Sequence, residues 1–301
     1  MLLSFLILLS VSASFLYISW PYLYDAPVSK LAEVFGLMSR FDWNGEVLFL
    51  GEKINSRSLP WNYIVSWFLI ANPIPYLILG FSGMMLFCFR FVKNPLPYFT
   101  DSFNRNSLLY FACMTLPVFA VILLHSVVYD GWRHLFFIYP GFIFFAVLFI
   151  QGLQNQVLKW VITGLTFISL VSTASYMVIQ FPHFHVYFNS FVRKNEPEQL
   201  RKYMELDYWG LSYRQGLEYI LANDPNPEIH VNHANPSGDY NLQILKPEQR
   251  SRILLEKFGP EADYFITNYR WHPQDYDIDS SKIYYSVKIS NSSVLTVFKL
   301  K

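Results

Sequence analysis

The sequence predicts an α-helical integral membrane bundle of about five spans followed by a small α/β extracytoplasmic domain. Three observations carry this. Apolar runs long enough to cross a bilayer recur through the first two thirds of the chain, where about 20 mostly apolar residues suffice for one crossing. Charged residues make up only 15% of the chain, against about 25% in a soluble domain, and the deficit is concentrated in that same region. After residue 181 the chain turns polar, and short β-branched runs alternate with helical patterns. The division read from this is a transmembrane region over 1–181, with an outer loop at 25–63, and a soluble α/β tail over 182–301.

The apolar runs lie at roughly 2–24, 64–91, 106–128, 135–151 and 158–180. The first does not read as a signal peptide, because no Lys or Arg precedes Lys30 and its apolar stretch is long. An ordinary first span carries cations on its cytoplasmic flank, so the sequence raises the expectation that this is the later part of a longer protein. With five spans, the 25–63 loop, the 129–134 turn and the tail share one face whichever way the protein inserts. The opposite face carries Arg90, Lys93, Arg105 and Lys159, and positive-inside counting favours it as cytoplasmic. Lys30, Arg40, Lys53 and Arg57 in the outer loop weaken that preference. The expected location is therefore a multi-pass membrane protein with the tail on the outer face, periplasmic or lumenal.

Several segments admit two readings. Ala71-Asn72-Pro73-Ile74-Pro75 removes backbone donors inside the second run and predicts a packing kink, with a lipid-lining bend as the alternative. His125 precedes the 129–134 turn by about one helical turn and either faces the same cavity or bonds a neighbouring helix. In the outer loop, 27–41 reads as a short amphipathic helix with Leu31, Val34, Phe35 and Met38 on one side, and Val47-Leu48-Phe49-Leu50 as strand-like. Trp61, Tyr63 and Trp67 read as interfacial anchors, or as part of a helix lying on the membrane beside a site. Cys88 and Cys113 lie inside apolar runs and read as buried packing residues.

In the tail, 215–223 and 249–258 read as helices, and Ile229-His230-Val231, Tyr264–Thr267 and Ser293–Phe298 as strands. His183 and His185 stand two apart without close Cys or acidic companions, so packing is preferred to a metal site. There is no Gly-rich phosphate loop, no Gly-x-Ser-x-Gly and no His-Glu-x-x-His, so the tail is not read as an enzyme in itself and no cofactor is called for. A net charge of +1 offers no basic surface for nucleic acid.

The most informative segment is Tyr129-Asp130-Gly131-Trp132-Arg133-His134, an acid, a tryptophan and two basic side chains in a turn between long apolar runs. Such charges at a membrane edge are costly unless paired, hydrated or used on a ligand. The plain reading is a salt bridge capping two helices. In the functional one, Arg133 and His134 hold an anion, with Arg133 favoured because it stays charged and presents a fork of donors.

The ordered set of motifs resembles bacterial membrane glycosyltransferases of the GT-C class, the family 39, protein O-mannosyltransferase-like group. The residues that carry the resemblance are Leu59-Pro60-Trp61-Asn62-Tyr63 before a proline-containing span, the 129–134 turn followed by Tyr139-Pro140, and Tyr187-Phe188-Asn189 after the last span. They continue with Leu206-Asp207-Tyr208-Trp209-Gly210-Leu211-Ser212-Tyr213-Arg214, then Ala262-Asp263-Tyr264-Phe265 and Thr267-Asn268-Tyr269-Arg270. The resemblance spans nearly the whole chain and implies transfer of a sugar from a polyprenyl-phosphate donor to an acceptor on the outer face. It implies a lipid-phosphate or substrate role for Arg133, His134, Asp130 and Trp132, with Asp207 and Trp209 reaching over the cavity from the tail.

The chain departs from that family in one respect. The family's acidic residue lies in a first outer loop that precedes the motifs found here, and members have roughly twice as many spans. Asp42 and Glu46 are only nominal replacements, so the catalytic base is expected to be absent. The chain is thus expected to be the carboxyl-terminal portion of such an enzyme, with a separate amino-terminal half as a partner beside membrane lipid. The competing expectation is a non-catalytic membrane protein that binds polyprenyl-phosphate lipids or a partner enzyme. A transporter fragment ranks below both, since no internal repeat is seen.

Overall fold

The computed structural model describes residues 2–39, 43–194, 200–256 and 262–301. These form two compact units, Met1–Asn44 and Gly45–Lys301. The first holds α1 (Leu2–Ser19) and, after a 3-10 turn at Pro21–Leu23, α2 (Pro27–Ser39). Pro21 ends α1 at eighteen residues, about 27 Å at the usual rise per residue. The run expected over 2–24 is therefore a shorter helix, and it falls outside the group of clearly membrane-length helices among the described residues.

The second unit opens with a hairpin, β1 (Glu46–Phe49) and β2 (Glu52–Asn55). Leu50 and Gly51 both take positive φ at its turn, the backbone a tight two-residue hairpin needs. A short helix α3 (Tyr63–Ile70) follows, then α4 (Ile74–Lys93), α5 (Pro97–Thr100) and α6 (Ser102–Leu123). A 3-10 segment (Arg133–Ile138) runs into α7 (Tyr139–Gly152), and α8 (Gln156–Ile179) completes the helical part. Four helices are long and apolar enough to cross a membrane: α4, α6, Arg133–Gly152 and α8.

The proline segment breaks the helix where a kink was expected. Pro73 is extended at ψ 133° and caps α4, while Asn72 Nδ2 donates to the Phe68 carbonyl at 2.7 Å and closes α3. Residues 64–70 are accordingly a separate element before the span. α4 and α7 approach closely because Gly80 and Gly83 face Phe142 and Phe145; a Cβ on Gly83 would lie 1.9 Å from the Phe145 carbonyl oxygen. Small residues serve this purpose between helices in lipid, where burial from water drives nothing. None of the α8 side chains is buried. Cys88 and Cys113 are also exposed and free, on the outer faces of α4 and α6, which corrects the expectation of buried packing residues. In a membrane helix an apolar neighbourhood in sequence does not imply an interior position, because the lipid-facing side is apolar too.

The tail carries α9 (Ser190–Lys194), α10 (Leu200–Tyr203), α11 (Ser212–Asn223), β3 (Ile229–His233), α12 (Ser237–Gln243), α13 (Pro247–Arg250), β4 (Ile253–Glu256), β5 (Tyr264–Thr267), β6 (Ile283–Ile289) and β7 (Ser292–Lys299). The strands form one mixed sheet in the order β4-β3-β5-β7-β6, with β3 parallel to β4 and β5 and the rest antiparallel. α11 covers it, packing Tyr213, Leu217 and Ile220 against Ile229, Val231, Ile266, Leu295 and Val297. Gly216 permits the contact, since a Cβ there would meet Leu295 at 2.8 Å. The helix expected over 249–258 is corrected: the single turn α13 ends at Arg250, and Ile253–Glu256 pairs with β3 as an edge strand. A four-residue apolar run reads equally as strand or helix, and here the sheet edge decides.

Candidate functional site

The turn before α7 is built by Asp130-Gly131, both at positive φ, a conformation that Asp and Gly tolerate and bulkier residues resist. Tyr63 of α3 lies beneath it, accepting the Gly131 N–H at 3.2 Å. This fixes the Asp130 carboxylate between two guanidiniums. Oδ2 meets Arg133 Nη2 at 3.0 Å, and Oδ1 meets Arg270 Nη2, also at 3.0 Å, from the loop after β5. Asp130 is buried, with its side chain only 5% exposed; the Arg270 and Arg133 side chains are 14% and 24% exposed. The sequence order thus conceals a pairing across 140 residues.

A second acid stands beside this cluster. Glu205 follows α10 and is buried. The β1–β2 hairpin is docked there by the Gly51 N–H donating to the Tyr203 carbonyl at 3.0 Å and by a bridge between Phe49 and Met204. Burial, and then the nearby Asp130 carboxylate, push Glu205 up to about 8, although Arg270, the Leu48 backbone N–H and Arg133 pull the other way. At neutral pH it is therefore an uncharged acid and a donor. Burial also raises Asp130 above its ordinary value, opposed by Arg270 and Arg133. Two arginines, one carboxylate and one neutral acid leave the cluster with a net positive charge.

The arginines are also incompletely used. Arg133 Nε and Arg270 Nε are buried without a hydrogen-bond partner among the described residues, as are Arg201 Nη1 and Glu205 Oε2. A buried donor left unpaired costs about 1–3 kcal/mol, more when charged, so these atoms have hydrogen-bonding capacity left for a polar species. Arg133 is further flanked by the Tyr129 and Tyr208 rings, at 4.8 and 5.6 Å.

The other sequence-predicted residues take different places. Trp132 is buried, its ring edge-on to Phe68 at 5.0 Å and Phe136 at 4.7 Å. His134 is exposed with its ring against Tyr129 at 4.8 Å. Asp207 is buried and fully engaged: it accepts from the Leu211 and Ser212 N–H groups, from Ser212 Oγ and from His185 Nε2. Burial alone would raise its pKa, and those bonds from His185 and Ser212 more than reverse it, to below the ordinary value. Asp207 so ties the 206–213 turn to the segment after α8. Trp209 is half exposed and stacks on His185 at 6.0 Å. His183 meets Gln215 at 2.9 Å. Glu46 is exposed at the start of β1, and Asp42 lies outside the described residues.

Tyr63 and Trp67, read as interfacial anchors, are instead buried with Phe49 and Phe188, because the hairpin and the 186–189 segment close over α3. Trp61 alone of the three is exposed. His125 lines a separate pocket with Arg57, Trp61 and Ser126. Pro73 and Pro75 line a groove between α4 and α8 whose far wall carries Ile162, Leu165, Ser169 and Thr173. Asn189 joins the tail to the break before α4, donating to the Leu69 and Asn72 carbonyls at 2.7 and 3.0 Å. Arg270, Glu205 and Arg201 were the functional candidates the sequence reading missed. Two signals were available: Arg270 closes the Thr267-Asn268-Tyr269-Arg270 motif, and Glu205 is a carboxylate set between Met204 and Leu206. Compared with models of protein families, with curated proteins and with solved structures, the chain shows no significant match.

Proposed function

We propose that this chain binds the phosphate of a polyprenyl-phosphate sugar at the Arg133–Asp130–Arg270 cluster and is the carboxyl-terminal portion of a glycosyltransferase, transferring that sugar on the outer face of a bacterial inner membrane. The observation that carries the reading is the pair of partly buried guanidiniums, held 3.0 Å either side of Asp130, each with a buried Nε–H that lacks a partner among the described residues. Arg133 begins a membrane-length helix and Arg270 belongs to the polar tail, so an anion held by both sits where an apolar chain can remain in lipid. The groove between α4 and α8, with apolar walls and scattered hydroxyls, suits an isoprenoid tail. As the sugar leaves, negative charge grows on the phosphate, and fixed guanidinium donors stabilise that charge more than the starting ester.

Among the described residues the cluster supplies no free base for the acceptor. Asp130 is consumed by two arginines, and Glu205 holds its proton at neutral pH. This favours either a partner segment that contributes the carboxylate or the second reading, a protein that binds polyprenyl phosphate without transferring sugar.

The test is binding of polyprenyl phosphate to the full chain in nanodiscs, compared with the unphosphorylated alcohol. Arg133→Ala is expected to weaken phosphate-lipid binding about tenfold to a hundredfold, the worth of one charge-assisted hydrogen bond. Equal binding of alcohol and phosphate, or an unchanged Arg133→Ala, would overturn the proposal. Sugar transfer by the chain with and without a candidate partner segment then separates enzyme portion from lipid binder.

A further inference from the structure

Behind the arginine cluster, on the side of the tail, lies a small pocket lined by Leu48, Arg201, Glu205, Tyr208, Arg270 and Trp271 among others, with a cavity of only about 20 Å³. Two of its lining side chains are more than nine-tenths buried and incompletely bonded: Arg201 Nη1 and Glu205 Oε2 have no partner among the described residues. Arg201 is held from behind by Asp275 and by the Tyr269 ring at 3.7 Å, and its other Nη has no partner among the described residues. Trp271 stands at the mouth, half exposed. Its backbone is at φ 64°, and its carbonyl is held by Lys53 Nζ at 2.5 Å. Arg270 lies over one face of the indole at 5.2 Å, and the half-exposed remainder of the ring is open to a sugar.

The geometry points to an oxyanion pocket for an acidic saccharide: Arg201 and Arg270 with the Glu205 carboxyl hold a carboxylate or phosphate group, and the sugar ring lies against Trp271. The pocket is too small for a glycolipid or a whole sugar, so only the anionic group enters it and the ring stays outside against Trp271. A protonated acid is the right third donor, since its O–H points at an anion without repelling it. The groups facing Glu205 are Asp130, Arg270, Arg133, the Tyr63 and Tyr208 hydroxyls and the Leu48 N–H. Burial and Asp130 keep the acid protonated to about pH 8, so binding weakens as it ionises above that. The pocket stands whether or not the sugar-transfer reading holds; if it holds, this is where an anionic acceptor is gripped.

The experiment uses the full chain in detergent with no polyprenyl phosphate present, and measures affinity by calorimetry for galacturonic acid, galactose 1-phosphate, galactose and inorganic phosphate. One or both acidic sugars are expected to bind at least about tenfold more tightly than galactose, the worth of one charged hydrogen bond, and their ranking separates carboxylate from phosphate. Arg201→Gln is expected to lose about that factor. Trp271→Ala, at an exposed position, is expected to weaken the acidic sugars and spare inorganic phosphate, and Glu205→Gln to retain binding at pH 7 without the loss above pH 8. Galactose binding as tightly as the acidic sugars, no binding of any anion, or undiminished acidic-sugar binding by Trp271→Ala would overturn the proposal.

Discussion

Replacing Asp130 by Asn tests whether the cluster is a coupled unit. Asn tolerates the positive φ of this position nearly as well as Asp, so the turn keeps its shape and only the charge is lost. Two guanidiniums then face each other from side chains 14% and 24% exposed, with no carboxylate between them. Removing one partner of a buried pair costs about 3–5 kcal/mol; the partial exposure of Arg133 argues for the lower end, about 3 kcal/mol. Arg270→Met strands less charge, because Asp130 keeps Arg133. Since both changes break the same 3.0 Å contact, the double variant should be less destabilised than the sum of the singles by about 2 kcal/mol. The assay is reversible denaturant unfolding in micelles, followed by near-ultraviolet circular dichroism, for wild type, both singles and the double. Additivity within about 0.5 kcal/mol would refute the argument, and so would a single-variant loss below about 1 kcal/mol, the range of an exposed ion pair.

Two further outcomes follow from packing and from titration. Gly83→Ala places a methyl 1.9 Å from the Phe145 carbonyl oxygen, which is backbone and cannot swing away, so the α4–α7 contact must open. A stability loss of about 3 kcal/mol or more is expected, whereas Gly164→Ala in α8, with nothing within 4 Å, should be neutral or gain up to about 1 kcal/mol. Equal effects in a detergent unfolding assay would contradict that packing. Glu205 binds its proton more tightly when folded, about 8 against the ordinary 4.5. Its contribution to stability is then complete below pH 4.5 and is lost as pH rises through 8, because the native state holds the proton over that interval. Glu205→Gln should flatten the fall of stability between pH 5 and 9, and parallel curves for the two proteins would show that Glu205 is ionised throughout.

The parts of this fold that could be read in advance are those written in local pattern. α4, α6, α7 and α8 announce themselves by continuous hydropathy, and β3, β5 and β7 by β-branched runs between turns. The misread strand and the misread anchors share one cause, the dependence of local structure on a distant neighbour. Ile253–Glu256 is a strand because β3 offers it an edge, and Tyr63 and Trp67 are core residues because a hairpin and the 186–189 segment cover them. Asp130 and Arg133 were legible as a site since they lie one turn apart. Arg270, which completes the cluster, lies in a loop after β5; its motif was visible, but nothing local ties it to a turn 140 residues away.

That asymmetry bears on what the cluster is for. A salt bridge that merely caps two helices needs only Asp130 and Arg133, and it would be stable with one positive and one negative charge. Bringing a second guanidinium from the tail adds desolvation cost and leaves the charges unbalanced, a poor arrangement for stability alone. Ionised, the neighbouring acid would balance that charge, but burial keeps it protonated at neutral pH, so the excess positive charge remains. The unpaired Nε–H groups of Arg133 and Arg270 remain as unmet demand in the same place. An added anion would balance the charge and satisfy those donors together, whereas a structural bridge accounts for neither, so anion affinity lost in step with Arg133 and Arg270 substitution is the measurement on which the functional reading rests.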